Sequence, residues 1–402
     1  MATIEAVRLF VGLVTAAAIV ALVVRRLPVD YTIGLVLFGL AVGIFLPERE
    51  FAVSPELVLF VLLPGLVFDA AYRLELDELR RTFGGVAVLA IPGVLISAGV
   101  VAIVLHLAMG LPIELGFVTG AMVSATDPVA VTATFRRLRA PRRLATLVEA
   151  ESLFNDGTGL VVFAIAVGSV SSGVEPAMAI WTLATTVAVS AAIGLAVGYL
   201  GSRVGATLDD HLIELTISLV TAYGTYLIAD SLHQSGVIAT VVAGIVLGNL
   251  SRQAATAPKT LEAIDAVWEF VAFLFTALVF ILIGLATPMS TLVGSLAWIG
   301  WAVIAILLGR AIVVYGLVGS SSRLRHAWRD SKPIPLAWLH VMFWAGLRGA
   351  VASAMALSLP ADFPERSLLV SITFGVVLFT LVVQGGSARW LVRRLHVGAN
   401  QG

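Results

Sequence analysis

Apolar runs of about 20 residues recur along the whole chain, parted by short polar breaks, and each is long enough to cross a bilayer as a helix. About 13 can be counted, centred near Thr15, Val36, Leu62, Leu95, Gly120, Phe163, Val189, Leu219, Val242, Leu274, Ile306, Trp344 and Leu378. Backbone inside lipid must satisfy its own hydrogen bonds, so such runs are helices or strands of a closed barrel. Barrel strands alternate polar and apolar positions, and these runs do not. The pattern predicts an all-α integral membrane protein. The first run, from about Val7 to Val24, has no basic leader and no convincing cleavage site, so it is expected to be retained as a span.

Composition strengthens this picture. Of 402 residues, 59% are hydrophobic and 12% charged, where a soluble domain carries about a quarter charged. Mean hydropathy is +1.02. Loops are short, so residues 1–402 are expected to form a single transmembrane domain with no soluble regulatory domain. Cysteine is absent, which excludes disulfides and thiolate metal sites. A formal net charge of zero argues against a nucleic-acid partner. Arginine far outnumbers lysine, which fits a prokaryotic source.

The basic residues orient the spans. Of the 25 Lys and Arg, 20 fall in segments that follow odd-numbered spans, and only Arg8, Arg49 and Arg366 fall on the other side. Arg310 and Arg348 lie inside spans. The positive-inside rule then puts the N-terminus outside and the C-terminus in the cytoplasm of a multi-pass cell-membrane protein. The loop with Arg136, Arg137, Arg139, Arg142 and Arg143 is the strongest cytoplasmic mark.

Two spans are interrupted. Span 5 breaks at Ser124-Ala125-Thr126-Asp127-Pro128 and span 12 at Gly346-Leu347-Arg348-Gly349. Pro and Gly weaken a helix interior. Interrupted spans at matching positions in two halves point to a transport site near the bilayer midplane, and their odd spacing gives the opposite directions of an inverted repeat. Gly194, Gly198 and Gly201 permit close helix approach, although small residues are common in membrane helices and need no such reason.

A charge at membrane depth is costly, so each one needs an explanation. Asp69 ends span 3, Asp127 lies in span 5, and span 6 carries Glu149, Glu151, Ser152, Asn155 and Asp156. Glu149, Ser152 and Asp156 share one helical face, with Glu151 and Asn155 on the neighbouring stripe. That side must face the bundle interior or a water-filled cavity. A structural ion-pair network with Arg348 and Arg310 explains Glu151 more simply than a direct role, and Asp156 less well. Pro128 frees a carbonyl in span 5. With Asp127, Thr126, Asp156 and Ser152 it offers the hard oxygens that Na⁺ or Li⁺ prefers. Asp127 also suits the N-terminus of a broken half-helix, and the two roles are compatible.

The segment Glu151-Ser152-Leu153-Phe154-Asn155-Asp156-Gly157, after Thr126-Asp127-Pro128 and before Gly346-Leu347-Arg348-Gly349-Ala350, resembles the signature of the monovalent cation:proton antiporter family. The match is to its NhaP-like branch, related to the eukaryotic sodium/hydrogen exchangers. The resemblance implies a core and a dimerisation bundle, a homodimer, and no cofactor beyond the transported Na⁺ or Li⁺ and H⁺. It implies that Asp156 carries cation and proton, with Asp127, Thr126 and Ser152 completing the ion site. Asn155 stands where electrogenic relatives have a second aspartate, which implies one-for-one electroneutral exchange. Glu151 and Arg348 are expected to form an ion bridge, with Arg310 facing the site. Asp69 replaces a glutamate common in the family and is at most a more distant support.

Two rivals stay open: a potassium/proton antiporter of the same family, and a cation channel. No repeated carbonyl filter favours the channel. An enzyme is not expected. His106 and His233 sit near span ends and His340 early in span 12, with no partner nucleophile at one depth. His211, His326 and His396 read as loop-borne or terminal.

Overall fold

The computed structural model describes residues 2–397 apart from 25, 27–29, 46–53, 174, 208–209, 254–257, 288, 321 and 323–333. Arg49, His326 and the side chains of Arg136 and Arg137, all singled out above, lie outside them. Among the described residues there is no strand. The helices are α1 (Ala2–Val24), α2 (Tyr31–Phe45), α3 (Leu63–Arg73), α4 (Leu76–Ala90), α5 (Pro92–Met109), α6 (Ile113–Ser124), α7 (Val129–Leu138), α8 (Arg142–Ser172) and α9 (Pro176–Gly205). They continue as α10 (His211–Ser231), α11 (Gly236–Gln253), α12 (Pro258–Ala286), α13 (Met289–Gly294), α14 (Leu296–Ala311), α15 (Leu336–Trp344), α16 (Ala350–Ser358), α17 (Arg366–Phe379) and α18 (Gly386–Arg394). Wider π-helical turns lead into α3 (Leu57–Leu62), extend α14 (Ile312–Val318) and join α17 to α18 (Thr380–Gly385). Each expected span centre falls within one of these helical elements. Among the described residues, seven helices are by length and composition long and apolar enough to cross a membrane, Leu76–Met109 being the longest. That rod is jointed at Pro92, which lacks an N–H and starts a new helix.

The helices sort into two bundles. In one, α1, α2, α3 and α10 to α12 pack on each other and α9 lies along α11. In the other, α4 to α8 pack with α14 to α18. Contacts between the bundles are sparser and run chiefly through α8 against α11, α9 and α3, and through α16 against α12 and the π-helical turn Leu57–Leu62. Close crossings hold the first bundle together. A Cβ on Gly198 would come 2.8 Å from the Ala243 carbonyl oxygen, one on Gly201 2.6 Å from Thr221 Oγ1, and one on Gly194 would strike the Ala239 carbonyl. General abundance of small residues is therefore not the reason for Gly194 and Gly198, which backbone proximity requires, whereas Gly201 faces the Thr221 side chain.

The second bundle holds the polar interior. Glu151, Ser152, Asn155, Thr126 and Arg348 are all at most 2% exposed, and Arg310 is 6% exposed. On the side away from the arginine-rich loop, α12, α16 and α17 close on an apolar seam. Val58, Leu282, Ile283, Leu357 and Phe374 surround a residual gap of about 10 Å³. That is room for one water at most, with little to hold it.

Candidate functional site

The two interrupted spans meet at their breaks. α6 stops at Ser124 and α7 restarts at Val129. Pro128 disfavours helical geometry at Asp127 and donates no hydrogen bond. α15 stops at Trp344 and α16 restarts at Ala350, across a stretch with two glycines. Unwound backbone at this depth needs partners, and each break supplies them to the other. The Asp127 N–H donates to the Leu347 carbonyl at 2.9 Å.

Charge follows the helix ends. Asp127 Oδ1 accepts from the Val129 N–H at 2.9 Å, and its carboxylate also accepts from the Ala350 N–H. It thus sits on the positive N-terminal ends of α7 and α16. A Cβ on Gly349 would come 2.9 Å from Asp127 Cβ and Cγ, so only glycine lets the carboxylate in. Arg348 takes the opposite post. Its guanidinium donates to the carbonyls of Ser124 at 2.9 Å and Ala125 at 3.1 Å, the orphan acceptors at the end of α6. Its N–H donates to Thr380 Oγ1 at 3.0 Å, in the π-helical turn after α17.

α8 completes the site. Asn155 clamps Thr126: Oδ1 accepts from the Thr126 N–H at 3.2 Å and Nδ2 donates to Thr126 Oγ1 at 2.7 Å. Ser152 Oγ lies 2.9 Å from the same hydroxyl. Asp156 lies one turn beyond Ser152, in electrostatic reach of Asp127 and Arg348. No hydrogen bond to its carboxylate is made among the described residues.

The ion bridge differs from the sequence expectation. Glu151 pairs with Arg310 on α14, not with Arg348. The pair is forked: Arg310 Nη1 donates to Oε1 and Nη2 to Oε2 at 3.0 Å, with Nη2 also reaching the Met342 carbonyl at 2.7 Å. Arg348 instead turns Nη1 to the carbonyls that end α6, which need a donor at this depth. Asp69 lies on α3 and lines the same cavity as Asp127 and Asp156. It holds Arg73 on its own helix at 2.8 Å.

A cavity of about 350 Å³ lies between the bundles. One wall carries Thr126, Asp127, Glu149 and Asp156; the other carries residues of α2, α3 and α12. Most of its lining comes from helix halves nearer the arginine-rich loop, and the first turn of α16 (Ala350, Val351 and Ala352) adds lining from beyond the break. Asp30, Asp69, Asp127, Glu149, Asp156 and Glu269 line it against one base, Arg73, among the described residues. A cleft of one sign focuses field and concentrates counter-ions, here cations. Sequence reasoning missed Asp30, Arg73 and Glu269. The signal for Glu269 was present: Glu262, Asp265 and Glu269 repeat at helical spacing in the head of an apolar run.

Comparison with known proteins agrees with this geometry. A family profile described as "Sodium/hydrogen exchanger, transmembrane" matches residues 13–394. The low-affinity Na⁺/H⁺ antiporter NhaS1 of Synechocystis is 37% identical over 381 residues, 94% of this chain and 72% of that protein. The Na⁺/H⁺ antiporter NhaP of Pseudomonas aeruginosa is 35% identical over 353 residues, 85% of this chain and 82% of that one. In fold, the solved structure of the sodium proton antiporter MjNhaP1 from Methanocaldococcus jannaschii superposes with a TM-score of 0.81 at 20% identity, covering 98% of this chain and 99% of its own.

Proposed function

Since this chain belongs to the sodium/hydrogen exchanger family, we propose that it exchanges one Na⁺ for one H⁺ across the membrane, with Asp156 as the group that carries either. The relatives are named as Na⁺/H⁺ antiporters, transporters rather than enzymes, and lend no support to the potassium alternative.

The observation that carries the one-for-one count is the charge balance of the buried interior. Glu151 and Arg310 cancel as a forked pair. Arg348 offsets one of the two aspartates nearest the breaks, Asp127 and Asp156, of the four that line the cavity. Among these five groups one negative charge remains, and a single Na⁺ or a single H⁺ neutralises it. Asp127 is engaged by two helix N-termini, whereas Asp156 faces the cavity without a hydrogen-bond partner among the described residues. Asp156 is therefore the exchangeable group. Thr126 and Ser152 add hydroxyl oxygens, and Li⁺ fits the same donors.

One carboxylate cannot hold Na⁺ and H⁺ together, so the ions compete. The site crosses only when occupied, because a bare carboxylate against the closed apolar seam is too costly. Movement is a rocking of the second bundle against the first, around the cavity between them. With the arginine-rich side cytoplasmic, the cavity faces inward. A homodimer, as the family resemblance implies, is part of this proposal.

The test is the purified protein in proteoliposomes with an internal pH dye. Imposed Na⁺ and Li⁺ gradients are expected to drive opposite proton movement, and K⁺ and Rb⁺ gradients are not. Proton movement in the same direction as Na⁺, or Na⁺ affinity indifferent to pH, would overturn the proposal.

A further inference from the structure

We propose that Arg73 is a tethered competitor of the incoming cation, which sets the apparent Na⁺ affinity, and that Asp69 is the positioning residue that holds it. The inference rests on the exchange reading above. Arg73 lies in the last turn of α3 and lines the cavity shared with Asp127 and Asp156. An arginine in a helix's last turn needs no cavity to explain it. Its guanidinium, however, is spent elsewhere than on the end of α3. Nε donates to Asp69 Oδ1 at 2.8 Å and Nη2 to the Asp265 carbonyl of α12, also at 2.8 Å. Both tethers belong to the bundle opposite Asp156, so the charge is fixed on the facing wall.

A fixed positive charge inside an acidic cleft subtracts from the field that draws cations in. Six carboxylates line this cavity, and Arg73 is the one base among its described lining residues. The Asp69 carboxylate does two things: it screens the guanidinium and it holds it away from the far wall. The two partners of one ion pair therefore act on Na⁺ in opposite senses. Removing the arginine charge strengthens Na⁺ binding. Removing the aspartate charge leaves the arginine less screened, with the Asp265 carbonyl as its remaining described tether, and weakens Na⁺ binding.

The experiment measures the apparent KM for Na⁺ and the thermal unfolding temperature of full-length protein for Arg73→Gln, Asp69→Asn and Arg73→Lys. KM is read at alkaline pH, where proton competition is least. The expected result is a KM about three- to ten-fold lower for Arg73→Gln and higher by a similar factor for Asp69→Asn, with Arg73→Lys near wild type. The shifts should shrink when choline chloride raises ionic strength. If the pair merely staples α3 to α12, both substitutions lower the unfolding temperature while KM stays put or moves the same way, and the proposal is overturned. If the wild-type protein shows no Na⁺/H⁺ exchange at all, the exchange reading itself fails. That outcome is distinct from exchange with unshifted KM values.

Discussion

The guanidinium of Arg348 donates to the carbonyl of Ser124 at 2.9 Å, across a sequence separation of 224 residues. One broken helix is thus ended by a side chain from the other break. Asp127 does the converse through its N–H to Leu347 and its carboxylate at Ala350. Acid lies on helix N-termini and base on a helix C-terminus, the arrangement that helix dipoles favour.

Asp156→Asn should abolish exchange without preventing insertion or folding. The substitution keeps shape but removes the carboxylate of α8 that faces the cavity without a hydrogen-bond partner among the described residues. Proteoliposomes with this variant are expected to give no dye response to Na⁺, while its unfolding temperature equals or exceeds that of wild type. A normal response would show that the carrier lies elsewhere.

Arg310→Ala should be among the most damaging core substitutions. It strands Glu151, which is 1% exposed, and breaking one side of a buried ion pair costs about 3–5 kcal/mol. Removing both charges together, as Glu151→Gln with Arg310→Met, should recover much of the loss. Thermal unfolding in detergent checks this, and equal damage from the single and double variants would argue against the pairing.

Gly349→Ala drives a methyl group into the Asp127 carboxylate, with Cβ only 2.9 Å from Asp127 Cγ. Overpacking of this kind costs about 1–3 kcal/mol, and here it also displaces a group of the ion site. Na⁺-driven exchange should fall by at least about ten-fold. Gly300→Ala is the control, since a Cβ there meets nothing within 4 Å. It should leave exchange intact.

One-for-one exchange moves no net charge. Clamping the potential with valinomycin and K⁺ should leave the rate and the end point unchanged. One uncompensated charge per cycle would be worth about 2.3 kcal/mol per 100 mV, so even a modest potential would displace the end point visibly.

Much of this was legible before the fold was known. Apolar run length gave the helices, because lipid leaves the backbone few options. The polar face of α8 and the two breaks were readable from residue spacing and from Pro128, Gly346 and Gly349. The pairing of Glu151 was not. Choosing between Arg310 and Arg348 depends on which orphan carbonyls lie nearby, and that is a property of two half-helices packed across each other. Nor do π-helical turns announce themselves. Thr380–Gly385 reads as ordinary apolar helix, yet it contains Thr380, whose hydroxyl receives the Arg348 N–H. Arg73 was passed over because a basic residue at a helix end is unremarkable until the cavity beside it is seen.

The dry seam at Val58, Leu282, Leu357 and Phe374 bears on temperature rather than on ion chemistry. Exposing the site to the far side must wet this greasy surface. Hydrating apolar carbon raises heat capacity. The opening step then carries a positive activation heat capacity, and the logarithm of turnover against reciprocal temperature should curve. A polar residue planted in the seam, such as Leu357→Asn, should straighten that plot and let protons seep through in the absence of sodium.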